Sequence, residues 1–128
     1  KIGMGCLGDL KKQMDSLSFL KFVKKQMKTE VIRYSKISNK KIRKVAVLGG
    51  SGSFAIEDVK RKGADAFVTS DLKYHQFFQG ENQLLLVDIG HYESEKFIKK
   101  YIYNYLTEKI PNFAIVLSSI ITNPVNYL

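Results

Sequence analysis

The chain has 128 residues, 45% of them hydrophobic, which is enough for one continuous core but marginal for two, so a single domain over residues 1–128 is predicted. Its single cysteine, Cys6, excludes an intramolecular disulfide and a multi-cysteine zinc site, so we expect a reducing compartment such as the cytoplasm, with Cys6 as a buried, inert thiol. No apolar run is long enough for a membrane span, so we expect no membrane partner. The formal net charge of +9 leaves nucleic acid binding open, but lysines spread over nearly every segment favour a solvated basic surface.

The amino-terminal third predicts one helix and two strands. Apolar residues recur at helical spacing over residues 16–27, after Asp15 or Ser16 as the N-cap. These apolar positions are Leu17, Leu20, Val23 and Met27. Residues 30–35 alternate as a strand does, and residues 44–50 form a short buried strand that ends in glycines.

A repeating rhythm follows, in which an apolar strand leads through small residues into an amphipathic helix. The predicted strands are 45–48, 66–69 and 84–87, and the predicted helices lie at about 53–62, near 72–78, and after 90 up to Pro111. The last helix has an apolar stripe of Phe97, Ile98, Tyr101, Ile102, Tyr105 and Leu106. A final strand is predicted over residues 113–119. This alternation predicts an α/β fold with a mostly parallel sheet flanked by helices.

Ligands of such sheets bind beyond the carboxyl ends of the strands, where this sequence has the loops GGSGSF, TSDLKYH and DIGHYESE. In the first loop, Gly50, Gly52 and Ala55 fit the pattern G-x-G-x-x-A of dinucleotide-binding turns, and Asp71 lies about where a ribose-binding carboxylate would be. Small residues are also needed wherever a strand turns sharply into a helix. A structural turn is therefore favoured over anion or dinucleotide binding.

The other two loops hold both histidines of the chain, each four residues from a carboxylate: Asp71 with His75, and His91 with Glu95. On a helix this spacing places both side chains on one face, and imidazole with carboxylate suits a divalent ion. A hydrogen-bonded pair or salt bridge at a helix end is the simpler alternative. A catalytic zinc site needs three protein ligands, and with only Asp88 as a further candidate the set is incomplete.

Four segments of the chain carry a family resemblance: IRKVAVLGGSGSF, GADAFVTSDLKYHQFF, LLLVDIGHYESEKF and TNPVNYL. In order and spacing they resemble the carboxyl-terminal portion of the Nif-three-like dinuclear metal-centre proteins, also called GTP cyclohydrolase 1 type 2 homologues. The run G-H-Y-E-S-E is the most specific of these matches. The chain, which begins at Lys1, is therefore expected to be the second half of a member.

The resemblance implies half of a three-layer α/β fold in a cytoplasmic protein that assembles as a hexamer. It implies two divalent metal ions per intact protomer, of zinc, iron, manganese or nickel, with His91 and Glu95 as metal ligands and the remaining ligands in the amino-terminal half. Asp71 and His75 are implied as catalytic acid–base or site-lining residues. The expected function is a metal-dependent hydrolase of a small phosphorylated or heterocyclic substrate. The alternatives are an oligomeric metal-binding scaffold and a nucleic-acid-binding module.

Overall fold

A five-stranded mixed sheet lies at the centre of the computed structural model, which describes residues 3–128. The strands are β1 (Cys6–Met14), β2 (Arg33–Tyr34), β3 (Ile42–Ser51), β4 (Ala66–Ser70) and β5 (Leu85–Asp88), and their spatial order is β1-β3-β4-β5-β2. The inner strands β3, β4 and β5 are parallel, and both edge strands are antiparallel to their neighbours. The predicted α/β fold is confirmed, with a parallel centre and antiparallel edges.

Helices cover the connections between these strands. They are α1 (Ser16–Met27), α2 (Ile56–Arg61), α3 (His91–Glu95) and α4 (Ile98–Lys109), with 3₁₀ helices at Ser53–Ala55 and Tyr74–Gly80. The long helix predicted before Pro111 is thus two helices, and the one predicted near residues 72–78 is a 3₁₀ helix. Across residues 3–128, no helix combines the length and the apolar character that crossing a membrane requires.

Helix α1 begins and ends where its sequence predicts. The Asp15 carboxylate accepts hydrogen bonds from the backbone N–H of Ser18 at 2.9 Å and from its hydroxyl at 2.7 Å, which caps the first turn. Lys28 adopts a left-handed conformation with φ of 49° and ends the helix. The predicted buried face was shifted, since Leu17 is exposed and Phe19 is buried.

Two apolar clusters cover the two faces of the sheet, because successive side chains of a strand point to opposite sides. Ala66 and Val68 of β4 belong to the cluster packed under α1, whereas Phe67 between them belongs to the cluster packed under α2. All residues of β4 and β5 are buried, which explains why both strands read as continuous apolar runs. The sheet is flanked by helices on both faces, as predicted.

Several local predictions were wrong. Residues 6–14 form edge strand β1, where no strand was predicted, and Cys6 on it is exposed. The strand predicted over residues 30–35 is reduced to Arg33–Tyr34. Residues 113–119 form no strand and pair with none of the five strands. Helix α4 forms, but none of its residues is buried.

Candidate metal centre

The loops that follow β3, β4 and β5 meet at one end of the sheet, as the parallel arrangement predicts. The hydroxyl of Thr69 donates a hydrogen bond to the carbonyl of Gly50 at 3.1 Å, and the N–H of Gly50 donates to the hydroxyl of Ser94 at 2.8 Å. These bonds join the end of β4, the glycine loop and helix α3. The candidate site residues are carried on this joined unit.

His91 and Glu95 face each other on α3, one helical turn apart. The Nε2 atom of His91 lies 3.4 Å from Oε2 of Glu95. On the other side of the ring, Nδ1 lies 2.5 Å from Oδ2 of Asp71 in the next loop. Because a carboxylate accepts hydrogen bonds, this contact places a proton on Nδ1, so that Nε2 is the nitrogen that a metal ion could bind in the neutral ring.

The two carboxylates also set the charge state of the imidazole. The hydrogen bond that His91 donates to Asp71 is the largest cause that raises the pKa of His91 above its ordinary value of 6.5, and the charges of Asp71 and Glu95 act in the same direction. Partial desolvation opposes them. A metal ion would have to displace the proton that this arrangement favours on the ring.

The donor set fits two ligands of a divalent ion. Ligand atoms at roughly 2.0–2.2 Å from a tetrahedral zinc lie roughly 3.4 Å apart, and Nε2 of His91 and Oε2 of Glu95 are separated by 3.4 Å. Asp71 contacts the opposite ring nitrogen, so it cannot reach the same ion. Within residues 3–128, accordingly, no group of three His, Cys, Asp or Glu side chains is arranged to hold a metal.

Asp88, the further ligand candidate predicted from the sequence, lies at the end of β5 and does not join His91 and Glu95. Its side chain is buried. Oδ2 accepts a hydrogen bond from the backbone N–H of Leu72 at 2.9 Å and forms an ion pair with Arg33. Its other oxygen accepts from the N–H of Gly90 at 3.0 Å. With both oxygens engaged, Asp88 holds the loops that carry Asp71 and His91. Sequence reasoning missed this role of Arg33, which lies directly opposite Asp88 on the neighbouring edge strand β2.

The glycines of the first loop are explained by close approach of neighbouring side chains. Gly50 has φ of +69°, and a Cβ atom there would lie 2.7 Å from Oε1 of Glu95. A Cβ atom at Gly52 would lie 2.1 Å from Oγ1 of Thr69. These contacts support the favoured interpretation of a structural turn.

His75 lies apart from the other candidates. It is exposed on the 3₁₀ helix and makes an edge-to-face contact with Tyr74 at 5.2 Å between ring centroids. Asp71 precedes that helix with a left-handed φ of 59°, so the two side chains do not share a helical face. The structure therefore pairs Asp71 with His91. His75 does not line the cavity that opens beside His91 and Glu95. The catalytic role predicted for His75 stays a prediction.

A cavity of about 860 Å³ opens beside His91 and Glu95 and is closed on one side by the carboxyl-terminal tail. Tail residues Asn123 and Tyr127 line it together with Glu93 of α3. Partial burial, followed by the charges of Glu93 and Asp88, raises the pKa of the Tyr127 hydroxyl above its ordinary value of 10.0, and the charge of Arg33 opposes this. No chemical role was predicted for these tail residues, although the segment TNPVNYL contains them.

Comparison with known proteins assigns the chain to a family. The profile of Duf34/NIF3 (NGG1p interacting factor 3) matches residues 1–124. A Bacillus subtilis protein named GTP cyclohydrolase 1 type 2 homolog is 37% identical over 131 residues, which cover 98% of this chain and 35% of that protein. A Staphylococcus epidermidis protein of the same name is 32% identical with the same coverage. The chain thus spans about a third of the length of these curated relatives.

Solved structures agree with this assignment. Staphylococcus aureus protein SA1388 superposes with a TM-score of 0.84 at 29% identity, over 98% of this chain and 42% of that one. A Bacillus cereus protein related to NIF3 superposes with a TM-score of 0.82 at 32% identity, over 98% of this chain and 36% of that one.

Proposed function

Because the chain belongs to the Duf34/NIF3 family, whose profile matches residues 1–124, we propose that it is part of a dinuclear divalent-metal protein that acts as a metal-dependent hydrolase. One observation carries the proposal. Nε2 of His91 and Oε2 of Glu95 lie 3.4 Å apart, and Asp71 holds the opposite ring nitrogen. A surface salt bridge requires no second carboxylate behind the imidazole, whereas metal-ligating histidines regularly have one.

Each residue of this group has a distinct task. His91 and Glu95 would hold the metal, with the second carboxylate oxygen of Glu95 available to bridge to a second ion. Asp71 keeps the proton on Nδ1 and so keeps Nε2 free for coordination. A bound divalent ion would polarise a phosphoryl or ring carbon–nitrogen group and lower the pKa of water. The remaining ligands would come from the portion of the polypeptide that the relatives have beyond the matched third.

The cavity beside the pair suits a small substrate. Its lining combines Glu93 and Glu95 of α3 with Lys96, Lys99 and Arg33. Arg33 is paired with Asp88, whereas each lysine ammonium donates to one backbone carbonyl and keeps further N–H donors. The cationic groups match the phosphate of a phosphorylated compound. A heterocyclic substrate is proposed because the relatives are named as homologues of a GTP cyclohydrolase.

The single cysteine supports a further proposal, that the protein works in the reducing cytoplasm.

Metal content tests this function. The intact protein of which this chain is proposed to be part, and its variants His91→Ala and His75→Ala, should be equilibrated with Zn²⁺, dialysed, and measured by inductively coupled plasma mass spectrometry. We expect His91→Ala to lose at least half of the bound zinc, because it removes a ligand, and His75→Ala to retain it, because His75 lies outside the cavity. Asp71→Asn should weaken zinc affinity by about 10- to 100-fold, as expected for a residue that orients a ligand.

Hydrolysis is tested separately with p-nitrophenyl phosphate and a panel of nucleoside triphosphates, with and without a chelator. Chelator-sensitive turnover that His91→Ala abolishes would support the enzyme. Zinc content unchanged in His91→Ala would overturn the ligand assignment.

An oligomeric scaffold is the second candidate, and one observation favours it. Apolar side chains on α4, including Ile98, Tyr101 and Ile102, are exposed. Exposed apolar surface of this kind is typical of interfaces, and we propose a hexamer as the assembly. Light scattering with and without chelator separates the two functions, since a scaffold with structural metal would dissociate without showing any turnover in the panel above.

A further inference from the structure

Glu93 is a buried carboxylate that the proposed metal chemistry does not use. It lies in the first turn of α3, between His91 and Glu95 in sequence, and only 8% of its surface is exposed. Its side chain lines the same cavity as the metal pair. The two outer residues of the run HYESE face each other, and Glu93 occupies a different part of the cavity wall.

The hydrogen-bonding capacity of Glu93 is largely free. Within the part of the chain described, Oε1 accepts one long hydrogen bond, 3.4 Å, from the side-chain amide of Asn123 in the tail. No lysine, arginine or histidine of residues 3–128 forms an ion pair with this carboxylate. Oε2 accepts no hydrogen bond within residues 3–128 and keeps some contact with solvent. A carboxylate that has little water around it and no cationic partner is costly. A donor-rich ligand would offset that cost.

Gly90 and Tyr127 hold the Glu93 carboxylate in place. A Cβ atom on Gly90 would lie 2.3 Å from Oε2 of Glu93 and 3.2 Å from the hydroxyl of Tyr127, so only a residue without a side chain lets the carboxylate pack here. Gly90 has φ of +88°, which also disfavours any other residue there. Tyr127 borders the same space and contributes a flat, partly apolar wall.

We propose that Glu93 is a specificity-determining residue, whose carboxylate accepts paired hydrogen bonds from the amidine-type edge of a small heterocyclic substrate. Such an edge presents two parallel N–H groups, which match the two oxygens of a carboxylate. Lys96 and Lys99 line the same cavity. Their ammonium groups donate to the carbonyls of Lys28 at 2.7 Å and Ser118 at 2.8 Å, and each keeps further N–H donors for an anionic group of that substrate. The inference rests on the proposed function, because it names the substrate class of the same site.

Two probes of nearly the same shape test the proposal. In 2-aminobenzimidazole the exocyclic amino group completes an amidine edge, whereas 2-methylbenzimidazole has a methyl group in its place. Binding of each to the zinc-loaded protein should be measured by isothermal titration calorimetry. We expect at least about tenfold tighter binding of the amino compound, because a charged acceptor gains two hydrogen bonds.

The variants assign that preference to Glu93. Glu93→Gln should bring the two affinities to within about twofold, since an amide offers one acceptor and places a donor against the ligand. Glu93→Asp, which keeps the charge but withdraws it by one methylene, should lower the preference and serves if Glu93→Gln does not fold. Glu108→Gln on exposed α4 is the matched control and should keep the preference. A wild type without preference, or a Glu93→Gln variant that retains it, overturns the proposal and leaves Glu93 as a clamp for Asn123.

Repeating the titrations after chelation separates this inference from the proposed function. The preference for the amino compound could persist after chelation while His91→Ala leaves the zinc content unchanged. That pair of results supports the Glu93 subsite and rejects the metal assignment. Loss of zinc in His91→Ala without any preference between the probes does the reverse.

Discussion

Replacing Asp88 by asparagine should destabilise the fold and loosen the candidate site together. The carboxylate is 3% exposed at the end of β5, and both of its oxygens accept hydrogen bonds. One takes the N–H of Leu72 and the guanidinium of Arg33, and the other takes the N–H of Gly90. Asparagine has the same shape but only one acceptor oxygen, so whichever way it turns, its NH₂ group faces a backbone donor.

The magnitude follows from the bonds that are lost. A buried donor left without an acceptor costs about 1–3 kcal/mol. The bonds that remain become neutral, and a neutral bond is about half as strong as a charged one. The Arg33 contribution is small, because 56% of that side chain is exposed and its charge is screened. Together we expect a loss of about 2–4 kcal/mol in the free energy of unfolding, a large fraction of the roughly 5–15 kcal/mol of a typical domain.

Equilibrium urea denaturation followed by circular dichroism measures this loss. The matched control is Asp58→Asn, since Asp58 is 59% exposed and its ion pair is with Arg61 on the same helix. We expect the control to change stability by less than about 0.5 kcal/mol. Nuclear magnetic resonance shifts should also change around Asp71 and His91 in Asp88→Asn. If the two variants are equally stable, Asp88 is not what holds the two loops, and the description of the site given above fails.

Two further predictions concern the same end of the sheet. Gly52→Ala places a Cβ atom 2.1 Å from Oγ1 of Thr69 and should lower the free energy of unfolding by about 1–3 kcal/mol. The control is Gly8→Ala, whose Cβ atom would meet no described atom within 4 Å and should change the urea midpoint little. Equal midpoints for the two variants would refute the close approach at Gly52. In metal-free protein, His91 should titrate above pH 6.5 by nuclear magnetic resonance, and Asp71→Asn should lower that pKa, because the Asp71 hydrogen bond is its largest cause. The pKa of His91 is higher in the folded state than in the unfolded state, so protonated His91 stabilises the fold fully below its unfolded-state pKa, and this stabilisation is lost as pH rises through its folded-state pKa. If Asp71→Asn left the dependence of stability on pH unchanged over that range, this explanation would be contradicted.

Local pattern was sufficient for the elements whose signals lie within a few residues. The Asp15 cap and the apolar spacing after it predict α1 to the residue. The continuous apolar runs before Ser70 and Asp88 predict the two buried strands, because a strand covered on both faces has no polar side to show. The spacing of His91 and Glu95 places both on one helical turn, as found.

Pairing across the sheet was decided only by the tertiary structure. Asp71 lies four residues from His75 in sequence, yet its partner is His91, twenty residues away, because the carboxyl ends of parallel strands meet. Asp88 takes its partners from three segments: Arg33 of antiparallel β2, Leu72 after β4 and Gly90 after β5. The run at 113–119 has the pattern of a strand but pairs with none of the five strands, while the weakly patterned residues 6–14 pair with β3. The periodicity of a sequence indicates which side chains are buried. Which strands pair and which charged groups meet depends on how distant segments pack, and a short stretch of sequence does not contain that information.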